Sequence, residues 1–162
     1  VKVVDVVTTQ EMYEAVEGEL KGGGYDVVIL AAAPLDYGFS TTYSYKIPSG
    51  SPAIEARLEA RPKISMAVRK LAPRAVFIGF KAEHGVSDEE LAERAKAKLE
   101  ESKADIVVAN DVGREGCGFG SDTNEVLIVD AYGSVEKVPL TSKAGVAKRV
   151  FDEALKRMGR RA

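Results

Sequence analysis

The stretch YDVVILAAA, residues 25–33, decides the fold. Its apolar run does not alternate with polar residues, as a strand with one wet face would; it suits a parallel strand covered on both sides. VKVVDVV (1–7), AVFIGF (75–80) and DIVVA (105–109) read as further strands, the first two of them buried. Helical signals separate these runs. Thr8 and Glu11 carry the spacing of a capping box, and Met12, Val16 and Leu20 repeat at helical intervals until Gly22–Gly24 stop the helix. Lys63–Leu71 reads as a helix with Pro62 near its first turn. Ser87 caps another, which opens Asp88-Glu89-Glu90 and runs to about Ser102. Ile54, Ala56, Leu58 and Ala60 alternate with mostly polar residues, so 53–60 reads as a half-buried strand. Glu125–Asp130 and Ser134–Pro139 read as a hairpin about Tyr132-Gly133, followed by a helix over about Lys143–Met158 with Val146, Val150 and Ala154 on one stripe.

Strands alternating with helices imply a parallel sheet. The expected fold is therefore α/β and Rossmann-like: three α/β/α layers, a mostly parallel sheet and a C-terminal antiparallel hairpin. A chain of 162 residues is read as one domain with enough core to need no disulfide or metal staple. Its net charge of −2, with both signs mixed, argues against nucleic acid as a partner. No apolar run approaches the ~20 residues of a membrane span, and no signal-peptide pattern is seen. Cys117 is the single cysteine, which rules out an internal disulfide and fits a reducing, cytoplasmic setting.

Ligands of an open α/β sheet sit beyond the carboxyl ends of its strands. Four such ends carry residues of interest: Ala31–Ala33 leading to Asp36; Lys81 to His84 after AVFIGF; Asn110-Asp111 after DIVVA; and Arg61-Pro62-Lys63-Ile64 after the 53–60 strand. All four are candidates for one crevice. The alanines either admit a ligand against the backbone or pack beneath a helix. Asp36 suits a ribose hydroxyl, a metal or a turn. Lys46 suits a phosphate or plain solvation. The 34–52 loop that holds both is too long for a simple connector and is a functional-loop candidate. Lys98 is the sharper anomaly: it falls within the inward stripe of Leu91, Ala95 and Leu99, with Ser102 one turn on. An inward lysine either snorkels or meets an anion. The GxxxxGK[ST] and GxGxxG fingerprints are missing, no His/Cys cluster has metal spacing, and Cys117 has no evident activating partner.

In this order, VDVVTTQEMYEAV, AAAPLDY, Lys46-Ile47, RPKI, IGFKAE, ADIVVAND and GFGSDTNEV resemble segments of phosphopantothenate–cysteine ligase. That domain is the C-terminal half of a bifunctional coenzyme A biosynthesis protein, behind a flavin decarboxylase. The resemblance implies a CTP-dependent ligation of 4′-phosphopantothenate to cysteine through an acyl-cytidylate, with Mg²⁺ as cofactor and a homodimer as assembly. FMN is implied only for a fused decarboxylase domain. The resemblance further implies Ala31 and Ala32 beneath the nucleotide, with Asp36 among its polar contacts. Lys46 is implied as catalytic, on a flexible loop facing the phosphates. Pro62 and Ile64 are implied in a nucleotide-contacting turn, Phe80 in the pocket lining and Lys98 at the phosphates.

Several positions depart from that pattern. The lysine-rich KxKK is Lys46-Ile47-Pro48-Ser49, a second helix lysine falls at Ser102, NPDI has become RPKI, and the arginine of ADYR is Gly38. The family's glycine-rich front segment has no counterpart after Val1. The expectation is thus one incomplete domain over residues 1–162, with an apolar face or edge left for a partner. Two rival readings remain: a nucleotide-binding or regulatory module without catalysis, and a dinucleotide enzyme, which the missing fingerprint disfavours.

Overall fold

A computed structural model describes residues 1–41, 43–50 and 53–159. Among these residues four helices are formed: α1 (Thr9–Gly22), α2 (Ile64–Leu71), α3 (Asp88–Ser102) and α4 (Lys143–Gly159). Seven strands accompany them: β1 (Val27–Leu30), β2 (Tyr37–Phe39), β3 (Leu58–Ala60), β4 (Val76–Glu83), β5 (Ile106–Asp111), β6 (Thr123–Asp130) and β7 (Val135–Ser142). The main sheet has the order β1-β4-β5-β6-β7. It is parallel from β1 through β4 to β5, and antiparallel from β5 through β6 to β7.

Strand alternation sorts the apolar residues into two layers. Phe77, Val107, Ala109, Leu127 and Val129 face α1, α2 and α3, where they meet Leu20, Val68, Leu91, Ala95 and Leu99. Val76, Ile78, Ile106, Val108, Val126 and Ile128 face α4, against Val146, Val150 and Ala154. With both faces covered, β4 and β5 need no polar side, which is why their sequences run unbroken. Burying one such large side chain contributes about 1.5–3 kcal/mol. The Rossmann-like three-layer fold and the C-terminal hairpin are as expected.

Local signals place the helices. In α1 the Thr8 hydroxyl accepts from Glu11 N–H at 3.1 Å, and the Glu11 carboxylate accepts from Thr8 N–H at 3.1 Å. Ser87 accepts from Glu90 N–H at 3.1 Å to start α3, and Lys103 in the left-handed region ends it. At the far edge of the core, Asp105 is 4% exposed. Its Oδ2 accepts from Arg69 Nη2 and from Phe77 N–H, each at 2.8 Å. Its Oδ1 accepts from Arg157 Nη2 at 3.4 Å. The Arg157 guanidinium lies 3.7 Å from the centre of the Tyr132 ring.

Two strand expectations are corrected. Val1–Val7 forms no strand: Val1, Val3, Val4, Val6 and Val7 are all exposed, and no strand among the described residues pairs with the segment. A strand needs a neighbour to satisfy its amides, and among the described residues β1 is paired only with β4. The half-buried strand at 53–60 shrinks to Leu58–Ala60, exposed throughout, because its partner is β2 in a separate two-stranded ribbon with no core beneath it. β1 also ends at Leu30, so Ala31–Ala33 are not part of it, and the expected loop 34–52 contains β2.

The glycine-rich segment between β5 and β6 folds as a tight loop. Ser121 and Thr123 hydroxyls both donate to the Gly116 carbonyl, at 2.9 and 2.7 Å. Gly116 holds φ +76°, and a Cβ there would come within 3.1 Å of Thr123 Oγ1. Cys117 is buried at 3% exposure, its sulfur 3.3 Å from Glu125 N–H.

Candidate functional site

A crevice of about 590 Å³ opens beyond the carboxyl ends of β1 and β4, within the usual range for small-molecule sites. One wall is the chain leaving β1, with Ala32, Ala33, Pro34 and Asp36. The floor is β4 from Gly79 to Glu83. Pro62, Lys63, Ile64 and Ser65 come from the start of α2, and Arg94, Ala97, Lys98, Glu101 and Ser102 from α3. Of the residues expected at a site, Ala32, Asp36, Pro62, Ile64, Phe80 and Lys98 meet here. Ala31 and Lys46 are exposed and do not line the crevice. Ala31 sits between two lining residues, Leu30 and Ala32, whose side chains an extended chain turns the other way. Ala31–Ala33 are exposed, so they pack beneath no helix and leave the backbone open to approach.

The cations of the crevice are paired. Lys98, 29% exposed, reaches Glu101 Oε2 at 3.2 Å, and Lys63 reaches Glu101 Oε1 at 2.5 Å. The hydrogen bond from Lys63, followed by that from Lys98, holds the Glu101 carboxyl below its ordinary range. The same contact with Glu101 raises the Lys63 ammonium. Across the floor, Glu83 is held by Lys81 at 2.9 Å and by Arg94. Asp36 is the crevice acid that no ion pair engages among the described residues. No group of three or more His, Cys, Asp or Glu among the described residues is placed to hold a metal. A cation here would therefore have to draw most of its ligands from a bound anion, with Asp36 the free carboxylate at hand.

Arg94 and Glu101 were not anticipated. Arg94 stands four residues before Lys98 and Glu101 three after it, spacings that put all three on one side of α3. The inward reading of Lys98 already contained that information. Arg61 shows a different departure. Its Nη2 donates to the Phe39 carbonyl, and a Cβ on Gly38 would lie 2.3 Å from its Nε. The absent side chain at 38 is thus what gives Arg61 its place across the β2–β3 ribbon.

The fourth strand end does not join the crevice. Asn110 points its amide at Asn124 Oδ1, 3.4 Å away. Asp111, 4% exposed, accepts from the N–H groups of Gly113 at 2.8 Å, Gly85 at 2.9 Å and Val86 at 3.0 Å. It ties the loop before α3 to the loop after β5, a structural task. Those backbone donors, Gly113 first, pull its carboxyl down to about 2. The folded pKa lies below the ordinary 3.8, so this contribution to stability is present above that value and is lost as pH falls towards 2. Asp111→Asn is expected to flatten the acid limb of a stability-versus-pH curve between about 4 and 2, read by thermal melts at successive pH. A limb as steep as that of the parent sets this role aside.

Fold and site together define an α/β domain with a cation-bearing crevice at the carboxyl ends of its parallel strands. Residues 1–158 match the family described as DNA/pantothenate metabolism flavoprotein C-terminal domain. The chain belongs to that family. It is 43% identical over 150 residues to the coenzyme A biosynthesis bifunctional protein CoaBC of Thermococcus kodakarensis, covering 93% of this chain and 36% of the relative. The chain thus spans little more than a third of that curated relative. Among solved structures, the C-terminal domain of a coenzyme A biosynthesis bifunctional protein CoaBC superposes with a TM-score of 0.73 at 30% identity, over 98% of this chain and 68% of that one. A mutant of Cab2 in complex with phosphopantothenate-cysteine shares the fold, with a TM-score of 0.65 at 21% identity over 95% of this chain and 52% of that one.

Proposed function

We propose that this chain is the ligase domain that joins 4′-phosphopantothenate to cysteine in coenzyme A biosynthesis, with CTP as co-substrate. The observation that carries the reading is the crevice itself, where Lys63 and Lys98 share one carboxylate beside the open backbone of Ala32 and Ala33. Family membership, the name of the relatives and the ligand of the Cab2 neighbour support it. Because the chain spans only part of those proteins, the full reaction is proposed for the complete protein. The reading carries with it a homodimer in the cytoplasm and an upstream flavin decarboxylase domain that alone would hold FMN.

In the first step, a carboxylate oxygen of phosphopantothenate attacks the α-phosphorus of CTP, and pyrophosphate leaves with the electrons of the broken P–O bond. In the second, the cysteine amine attacks the acyl carbon, CMP leaves, and the surplus amine proton passes to solvent. Ala31 and Ala32 let the nucleotide lie against the backbone, while Pro62, Ile64 and Phe80 give its base and sugar an apolar wall. Asp36 accepts from a ribose hydroxyl or meets the cation. Lys98 and Lys46 stabilise the phosphate charge that develops. Mg²⁺, held by the phosphates and Asp36, would neutralise charge as pyrophosphate departs.

Lys46 lies outside the crevice, on the excursion between β2 and β3. Asp36 and Pro62, which flank the β2–β3 ribbon, line the crevice, so the ribbon is rooted at the site and inward folding of its loop would bring Lys46 to the phosphates. In the complete enzyme, Lys46→Ala is expected to lower CTP-dependent amide formation by about a hundredfold or more. Turnover equal to the parent's would count strongly against the assignment. The position of Lys46 also favours a second reading, a nucleotide-binding module without catalysis; CTP binding with no amide formation by the complete protein would select it.

A further inference from the structure

We infer that Glu101 acts as the crevice's internal anion, a carboxylate that holds Lys63 and Lys98 and that an incoming polyphosphate must displace. The inference rests on the reading of the crevice as an anion site and adds the residue that sets its affinity. Three observations meet at this point. Glu101 presents one oxygen to each lysine, Oε1 to Lys63 and Oε2 to Lys98. The two lysines come from different elements, Lys63 from the start of α2 and Lys98 from α3. Without Glu101 nothing in the ion-pair pattern would hold them together, because neither makes another ion pair among the described residues, although the Asp36 carboxylate also attracts Lys63 from further off.

The second element carries its own attraction for anions. Lys63 is the N-cap of α2, and among the described residues no side chain caps that end and its first turn has no acid. Ile64 and Ser65, the first residues of the helix, line the crevice with no side-chain cap before them, and the positive end of the helix dipole lies there. A bidentate carboxylate between two lysines at that end occupies the place a phosphate group would take.

The pairs are also of a kind that can be given up. Lys63 and Glu101 are each 49% exposed, and half-exposed ion pairs contribute little because water and salt compete for them. A polyphosphate offers both lysines more charge than one carboxylate and can pull them away, after which Glu101 turns to solvent. A weakly charged anion has less to offer. Glu101 thereby lowers affinity for all anions and favours the highly charged ones.

The test uses inorganic tripolyphosphate as probe, titrated calorimetrically into this chain and into Glu101→Gln, Lys98→Ala and Lys63→Ala, once with Mg²⁺ and once with chelator. Far-UV circular dichroism confirms that each variant is folded. Glu101→Gln is expected to bind about three- to tenfold tighter than the parent in both buffers, while each lysine variant binds more weakly. Equal or weaker binding by Glu101→Gln, with the lysine variants still impaired, overturns the inference and leaves the anion site standing. Weaker binding by Glu101→Gln only when Mg²⁺ is present makes Glu101 a metal ligand and likewise overturns it. Failure of the parent and of every variant to bind overturns the anion-site reading, and the inference falls with it.

Discussion

Lys98→Ala is expected to weaken CTP binding by about ten- to a hundredfold in calorimetric titrations with Mg²⁺. The size follows from charge-assisted hydrogen bonds, which contribute about 1.5–3 kcal/mol each. Lys98 is placed to make one: its stem packs along the inward side of α3 and its ammonium reaches the crevice, with the side chain 29% exposed. The remaining cations of the site are less available. Arg94 and Lys81 are both committed to Glu83 on the floor, and on the Glu101 side Lys63 is the other cation lining the crevice among the described residues. Alanine is the best helix former, and the lost pair with Glu101 is a half-exposed one, so α3 should persist and melting should shift little. A parallel titration with ATP reads the preference for the base. Binding of CTP with unchanged affinity in Lys98→Ala would remove Lys98 from the phosphates. If the folded parent binds neither nucleotide, the crevice is not a site by itself, and the function must be sought in the complete protein.

Asp105→Ala is expected to destabilise the domain by about 3–5 kcal/mol, the usual result of removing one partner from a buried ionic group. Asp105 accepts from Arg69, from Arg157 and from the backbone of Phe77 at the start of β4. Its loss would leave two guanidinium groups and one N–H without their carboxylate. Arg157 is the more exposed to this, since its Nε and Nη1 are buried without a hydrogen-bond partner among the described residues. Urea unfolding followed by circular dichroism measures the change. The double variant Asp105→Ala with Arg157→Leu should recover part of the loss, because a buried charge left alone costs more than an apolar side chain of similar size. If the single variant loses less than about 1 kcal/mol, the cluster is solvated and the ionic account fails.

Patterns of short range in the sequence were legible. The unbroken apolar runs gave β4 and β5, the capping box gave the start of α1, and the stripe of α3 disclosed Lys98. Each depends on residues close together in the chain, where periodicity maps directly onto a face. The failures have one cause: the partner of an element is not written in the element. Val1–Val7 has strand composition, but a strand forms only where an edge accepts it. The 53–60 segment alternates, yet its partner is a three-residue strand in a ribbon with no core beneath it. The Asp105 cluster joins residues 36 and 52 positions apart, and only the sheet brings them together. The crevice was legible in part for the same reason. Three strand ends converge, while Asn110 and Asp111 are drawn off by Asn124 and by the loop amides.

Cys117 gives the domain a built-in reporter. It is the chain's single thiol and is packed inside the 112–122 loop. A disulfide reagent can reach it only when that loop lifts, so in the fast-closing regime the labelling rate, divided by that of the unfolded chain, is the opening equilibrium constant. Followed with and without a crevice ligand, one unmodified sulfur would tell whether occupancy at one end of the sheet is felt in the loop between β5 and β6, with no dye or substitution introduced.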